Sequence, residues 1–274
     1  MKTVDMYKDY LVSEQKSNKT IQAYLSNVNQ MLSIVNKPEN EIKFVDFTNW
    51  KKELSNIAPA SMNQKISSVK NYFKWLKSMG LISENIAKEI NNVKHYEVNK
   101  HDYIPMEKAK QLIQHGKNSR DKAIVATFLA TGIRADELIN LTMDDYVNKD
   151  YCDIMAKGKV VRRIVWTDDC KKYINEYLCN RKNTDINNLF VSDQGTKMCE
   201  VSMLKTIKNI AKRAGFEENI CLHSLRHSCI SYIAKKTNVS TAQHFVNHSD
   251  IKITQKYLHD TENEIKDAAN LISL

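Results

Sequence analysis

Four short stretches carry the side chains able to do chemistry: T-G-I-R-A-D-E-L at 131–138, H-S-L-R-H at 223–227, N-H-S at 247–249 and K-Y-L-H at 256–259. They set two arginines, two histidines and a tyrosine in a fixed order. Two guanidiniums can hold one phosphate in planar forks. A phenol can attack its phosphorus, but with a pKa near 10 it is a poor nucleophile at neutral pH unless its surroundings help. The pentacoordinate transition state gathers charge on the non-bridging oxygens, where preorganised donors matter most. The departing sugar oxygen needs a proton from a neighbouring acid. Two arginines, a lysine, imidazoles and a tyrosine meet these needs without a metal or other cofactor.

Each residue has a plainer reading. Arg134 alone would be a surface arginine after a helix, and Tyr257 is one of twelve tyrosines. His223 and His227 stand at i and i+4, a spacing that can hold zinc. The glutamate of an H-E-x-x-H motif is absent, however, so His227 reads as a packed or capping residue. It is their joint occurrence, with Tyr257 nine residues after His248, that favours chemistry.

These groups need elements to position them. The hydrophobic pattern predicts a mainly α protein with one small antiparallel β-sheet. Residues 1–94 read as a helical domain. Ile21, Tyr24, Leu25, Val28, Leu32 and Val35 recur at helical spacing in 18–36, as do Met62, Ile66, Val69, Phe73 and Leu76 in 60–78. Shorter helices are expected near 3–13, 47–56 and 84–93. Residues 95–103 have no periodicity and read as a linker. A second domain, 104–274, follows. A helix through 119–131 ends at Gly132, a short turn delivers Arg134, and another helix starts at Asp136. Residues 151–166 read as a hairpin with Lys157-Gly158-Lys159 at its tip, and Leu189-Phe190-Val191 as a third strand. Helices are predicted again over 168–181, 199–214, 223–236, 240–247 and 261–272.

The formal net charge is +9 and the sequence pI about 9.1, a balance that favours a polyanionic partner. No stretch approaches the ~20 apolar residues of a spanning helix. The N-terminus lacks the apolar core of a signal peptide. The six cysteines form no C-x-x-C pair, as expected of reduced thiols in a cytoplasmic protein. All seven arginines fall from Arg120 onward. That split suggests backbone tracking by lysine in the first part and directed phosphate chemistry in the second. Lys65, Lys70, Lys74 and Lys77 are the candidate DNA contacts of the first domain, the alternative being a solvated face on a small bundle.

On these motifs the chain resembles the tyrosine recombinase, or phage integrase, family over nearly its whole length. The resemblance implies a two-domain DNA clamp: a SAM-like core-binding domain, a linker and a catalytic domain. Arg134 matches the first arginine of G-x-R-x-x-E-L, and Lys157 in A-K-G-K the hairpin lysine. His223 and Arg226 match the H-x-L-R-H box, His248 the second His/Trp position and Tyr257 the nucleophile. By this likeness Arg134 and Arg226 clamp the phosphate, Tyr257 forms a 3′-phosphotyrosine, Lys157 protonates the leaving oxygen, His223 acts as acid/base and His248 hydrogen-bonds the phosphate. Glu137 supports the site. Two positions depart from the pattern. Asn247 replaces a glycine, and Ala156 replaces the glycine before Lys157, which lets Lys159 compete as the acid.

The implied activity is site-specific recombination of double-stranded DNA through a Holliday junction, by a small integrase of a mobile element or a Xer-like dimer resolvase. The chain begins directly with the core-binding helices, which fits either. A non-catalytic DNA-binding protein and a type IB topoisomerase are the alternatives. The tail, with Ile265, Ala268 and Ile272 on one face, is expected to dock on a neighbouring protomer in a homo-tetramer on two DNA sites, or else to pack on its own domain. An accessory or partner recombinase is a further implied partner, and no membrane is.

Overall fold

The computed structural model describes residues 3–94, 104–156, 160–217 and 219–246. The chain forms two compact units, Met1–Val98 and Asn99–Leu274. Among the described residues no helix is long and apolar enough to cross a membrane.

The first unit is a bundle of α1 (Thr3–Ser13), α2 (Asn18–Val35), α3 (Phe44–Glu53) and α4 (Pro59–Ser78). Local chemistry sets the ends. The Ser17 hydroxyl accepts the Thr20 N–H at the start of α2, and Asn36 closes it in the left-handed region. Pro59 opens α4, where no N–H is needed. All five apolar residues expected of 60–78 are buried, against Val28 and Met31 of α2 and Phe47 and Trp50 of α3. Full burial of each such side chain contributes about 1.5–3 kcal/mol. The helix expected near 84–93 is a single 3₁₀ turn, Ile86–Glu89. The chain is held out of helix beyond it because the Asn63 side chain binds both backbone groups of Val93, at 2.8 and 3.0 Å.

In the second unit α5 (Met106–Gln114), α6 (Ser119–Thr131) and α7 (Ala135–Asn140) precede a hairpin of β1 (Tyr151–Ala156) and β2 (Val160–Val165). Then come α8 (Asp168–Cys179), α9 (Glu200–Arg213), α10 (Leu222–Lys236) and α11 (Val239–Val246). Helix α6 is buried nearly all round, with Ile124, Val125 and Phe128 fully enclosed, and packs on α5, α8 and α10. Such a helix is the axis of a core, not a surface element.

The hairpin is antiparallel, pairing Tyr151 with Val165 through Ala156 with Val160. Residues 189–191 do not join it, contrary to the strand expected there. Phe190 stacks on Tyr177 of α8 at 5.5 Å, and the Val191 N–H donates to the Tyr177 hydroxyl. Packing on α8 satisfies the segment, leaving only isolated bridges, Thr142 to Asn188 and Val191 to Lys197. The expected linker 95–103, the hairpin tip 157–159 and the tail helix 261–272 lie outside the described residues.

Candidate active site

The turn after α6 builds the first half of the site. Gly132 caps α6 at φ 56°, a backbone that side chains rarely adopt. A Cβ there would also sit 3.2 Å from both Cys229 Sγ and Val246 Cγ1. Two residues on, Arg134 is the N-cap of α7. The Glu137 carboxylate reaches back from the first turn, accepting the Arg134 N–H at 2.9 Å and Arg134 Nη1 at 2.6 Å. The Arg134 side chain remains 28% exposed while that of Glu137 is 2% exposed. Glu137 thus holds Arg134 from the protein side and leaves part of its guanidinium for an anion.

The second half comes from α10. His223 lies in its first turn and is exposed, while Arg226, one turn further, is 2% exposed. Arg226 Nη1 donates to the Gly132 carbonyl. Nη2 lies 3.5 Å from the Val246 carbonyl at the end of α11. The helix N-terminus beside His223 carries partial positive charge and suits an anion.

A third guanidinium, not singled out in the sequence, joins the two halves. Arg162 of β2 is buried. Its Nη1 lies 3.4 Å from Glu137 Oε2 and 3.5 Å from the Gly132 carbonyl. Nη2 donates to the Thr131 carbonyl, and Nε to the Phe245 carbonyl at 3.1 Å. The signal available beforehand was strand alternation. Cys152, Ile154, Arg162 and Ile164 occupy paired inner positions, and a charge on an inner face calls for partners.

Arg134 and Arg162 therefore share one buried carboxylate, and Arg226 joins the cluster through the Gly132 carbonyl. The negative ends of α6 and α11 add to this, their last carbonyls pointing at Arg162 and Arg226. Burial lowers the Arg162 pKa, Glu137 acts against that, and the Arg134 charge adds to the lowering. The Cys229 thiol beside this cluster is pushed up to about 12 by burial, against the pull of Arg162 and Arg226, so it stays protonated.

Of the other residues expected at the site, Lys157, His248 and Tyr257 lie outside the described residues, as does the competing Lys159. The pairing of Ala156 with Val160 leaves three residues, 157–159, between the strands. Helix α11 ends two residues before His248. His227 is buried whereas His223 is exposed, so the i, i+4 pair does not face one environment. Among the described residues no group of three or more His, Cys, Asp or Glu could hold a metal ion.

The four lysines of α4 differ in their surroundings. Lys65 turns toward α2, its amine donating to Gln30 Oε1 at 2.6 Å and Asn27 Oδ1 at 3.3 Å. At 100° per residue, Lys70, Lys74 and Lys77 fall on the opposite side of the helix. Lys74 and Lys77 are exposed and Lys70 half-buried.

Known proteins share this plan. The model of the phage integrase family matches residues 102–264, and that of the phage integrase N-terminal SAM-like domain matches residues 4–80. Tyrosine recombinase XerC of Caldanaerobacter subterraneus subsp. tengcongensis is 29% identical over 228 residues, which cover 80% of this chain and 64% of that relative. A tyrosine recombinase of Thermosipho africanus is 26% identical over 286 residues, covering 97% of this chain and 98% of that one. Among solved structures, XerA recombinase is 25% identical with a TM-score of 0.56, covering 98% of this chain and 97% of that one. Lambda integrase residues 75–356, a dimer bound to a COC′ core site, is 18% identical with a TM-score of 0.77 and 96% coverage of both.

Proposed function

This chain belongs to the phage integrase family, the tyrosine recombinases, and we propose that it recombines DNA sites by the residues that converge in its second unit. In this reading Arg134 and Arg226 clamp the non-bridging oxygens of the scissile phosphate. Tyr257 attacks phosphorus, the bond to the 5′ oxygen breaks, and a 3′-phosphotyrosine remains. Lys157 delivers a proton to the leaving 5′ oxygen, His223 serves as acid/base beside the tyrosine, and His248 hydrogen-bonds the phosphate. A 5′ hydroxyl from a partner strand then attacks the phosphotyrosine, displacing the phenol and joining new ends through a Holliday junction. The bond energy is kept in the covalent link, so neither ATP nor a metal takes part.

One observation carries this reading. Arg134 and Arg226, 92 positions apart, meet in one polar cluster through Glu137, Arg162 and the Gly132 carbonyl. Arg134 keeps part of its guanidinium exposed beside this cluster, and a guanidinium so held is suited to receive a phosphate.

The assembly we propose is a homo-tetramer on two double-stranded DNA sites in the cytoplasm. Supporting it is a groove of about 540 Å³ in the second unit, lined by Met106, Ile113, Leu129, Tyr173, Ile233 and Phe245 among others. Lys110, Asp169 and Lys172 stand beside these apolar residues. The tail offers Ile265, Ala268 and Ile272, apolar side chains that suit the lining of a neighbour's groove. All six cysteines are free thiols, in keeping with a reducing compartment.

The test is a nicked, end-labelled DNA site run on a denaturing gel. Wild type should form a covalent protein–DNA adduct. Tyr257→Phe should bind the site as tightly and form none, and an adduct persisting in that variant would refute the assignment of the nucleophile.

A further inference from the structure

We infer that Arg162 is a positioning residue of the catalytic centre, aligning both clamp arginines and the end of α11 from beneath. The inference rests on the reading of Arg134 and Arg226 as the phosphate clamp. Its basis is the reach of one buried side chain. Nη1 contacts Glu137, the carboxylate that grips Arg134, and the Gly132 carbonyl, which also receives Arg226. Nη2 holds the Thr131 carbonyl at the end of α6. Nε holds the Phe245 carbonyl, and the guanidinium carbon lies 5.9 Å from the Phe245 ring centroid. Phe245 stands three residues before His248 and twelve before Tyr257. One planar fork therefore touches the loop that delivers Arg134, the carbonyl that orients Arg226 and the helix end that leads to the nucleophile.

A lysine could carry the same charge but not the same geometry. Its single ammonium on a flexible stem cannot hold carbonyls of α6 and α11 and a carboxylate in one plane. Misplacing reacting groups by about 1 Å can cost 10²-fold in rate. Arg163, the next residue, provides a matched control. It lies on the outer face of β2, paired to Asp153 at 2.8 Å and over the Tyr151 ring at 4.2 Å, and among the described residues it makes no hydrogen bond to Glu137, Gly132, Thr131 or Phe245.

The experiment compares Arg162→Lys, Arg163→Ala and Arg226→Ala with wild type, each as the full chain. Circular dichroism and a thermal melt report folding, and a gel shift reports affinity for the DNA site. Single-turnover strand cleavage is then measured on two substrates: the ordinary phosphodiester, and a methylphosphonate at the scissile position. The methyl group removes the negative charge that the clamp must meet. Arg162→Lys should bind DNA like wild type and cleave the phosphodiester about ten- to a hundredfold more slowly, with a much smaller loss on the neutral linkage. Arg163→Ala should match wild type on both.

A general structural defect would slow both substrates alike. Equal slowing, or an unchanged phosphodiester rate, therefore overturns the proposal. If Arg162→Lys does not fold, Arg162→Gln, which keeps two donors without a buried charge, is read by the same substrate comparison. The clamp reading fails separately if Arg226→Ala cleaves the phosphodiester at the wild-type rate.

Discussion

Arg226 and Gly132, 94 residues apart, are joined by a hydrogen bond from the guanidinium to the carbonyl of the residue that caps α6. The bond ties the H-S-L-R-H helix to the turn that launches Arg134. With the proposed clamp role, Arg226 would serve both chemistry and structure, and the two can be separated by measuring rate and stability together.

Arg226→Ala should lower the single-turnover rate of adduct formation by about 10²–10³, the usual cost of losing one preorganised donor at a developing oxyanion. It should also leave the Gly132 and Val246 carbonyls without this donor, at about 1–3 kcal/mol for each group left buried and unsatisfied. Arg134→Ala should show a comparable loss of rate, but its side chain is partly exposed and donates to no helix end, so a smaller shift in the urea midpoint is expected. Equal destabilisation by both variants would contradict the difference in burial between them.

Gly132→Ala should destabilise the second unit even though only a methyl group is added. The left-handed backbone costs a non-glycine residue about 1–2 kcal/mol, and the new Cβ would press on Cys229 and Val246. The urea midpoint reads this directly, and a midpoint equal to wild type would show that the turn relaxes without strain.

The lysines of α4 should separate by salt dependence. If Lys70, Lys74 and Lys77 neutralise DNA phosphates, each alanine variant should flatten the slope of log affinity against log salt by about one. Lys65→Ala should leave that slope unchanged and instead lower the stability of the first unit, because its amine is committed to Gln30 and Asn27. Binding measured from low to high salt, with a parallel thermal melt, distinguishes the two groups.

Asp46 should make the first unit sensitive to acid. Its carboxyl is held below the ordinary range, first by the Lys37 hydrogen bond at 2.7 Å and then by the Lys43 backbone N–H at 2.8 Å. A carboxylate with a depressed folded-state pKa contributes stability above its unfolded value of about 3.9, and that contribution is lost as pH falls through the folded value. Asp46→Asn should therefore melt below wild type near neutral pH, and the difference should shrink on acidification below the carboxylate range. A difference independent of pH would mean that the side-chain shape matters and its charge does not.

Much of the fold was legible because helices announce themselves locally. The apolar stripe of 60–78, Pro59 at the start of α4 and Gly132 at the end of α6 each act through neighbours within a turn or two. The two misread segments, 84–93 and 189–191, are those in which a distant side chain decides the backbone. Asn63 fixes Val93 across 30 residues, and Tyr177 captures Val191 from α8. No local pattern carries such contacts.

By itself, the sequence determined which reactive groups this protein owns and in what order, since residue types and spacing are properties of the chain. Only the tertiary structure decided what surrounds them. Arg162 and Arg163 are adjacent and chemically identical. Alternation along β2 sends one to each face, and it is the pairing of Ile154 with Arg162 and of Asp153 with Arg163, together with the packing beneath the hairpin, that decides which is enclosed. One became the link between Glu137, α6 and α11, the other an exposed partner of Asp153. Lys65 was separated from Lys70, Lys74 and Lys77 in the same way, by the helix that happened to lie against it. Burial and partnership are long-range quantities, set when segments far apart in sequence exclude water from between them.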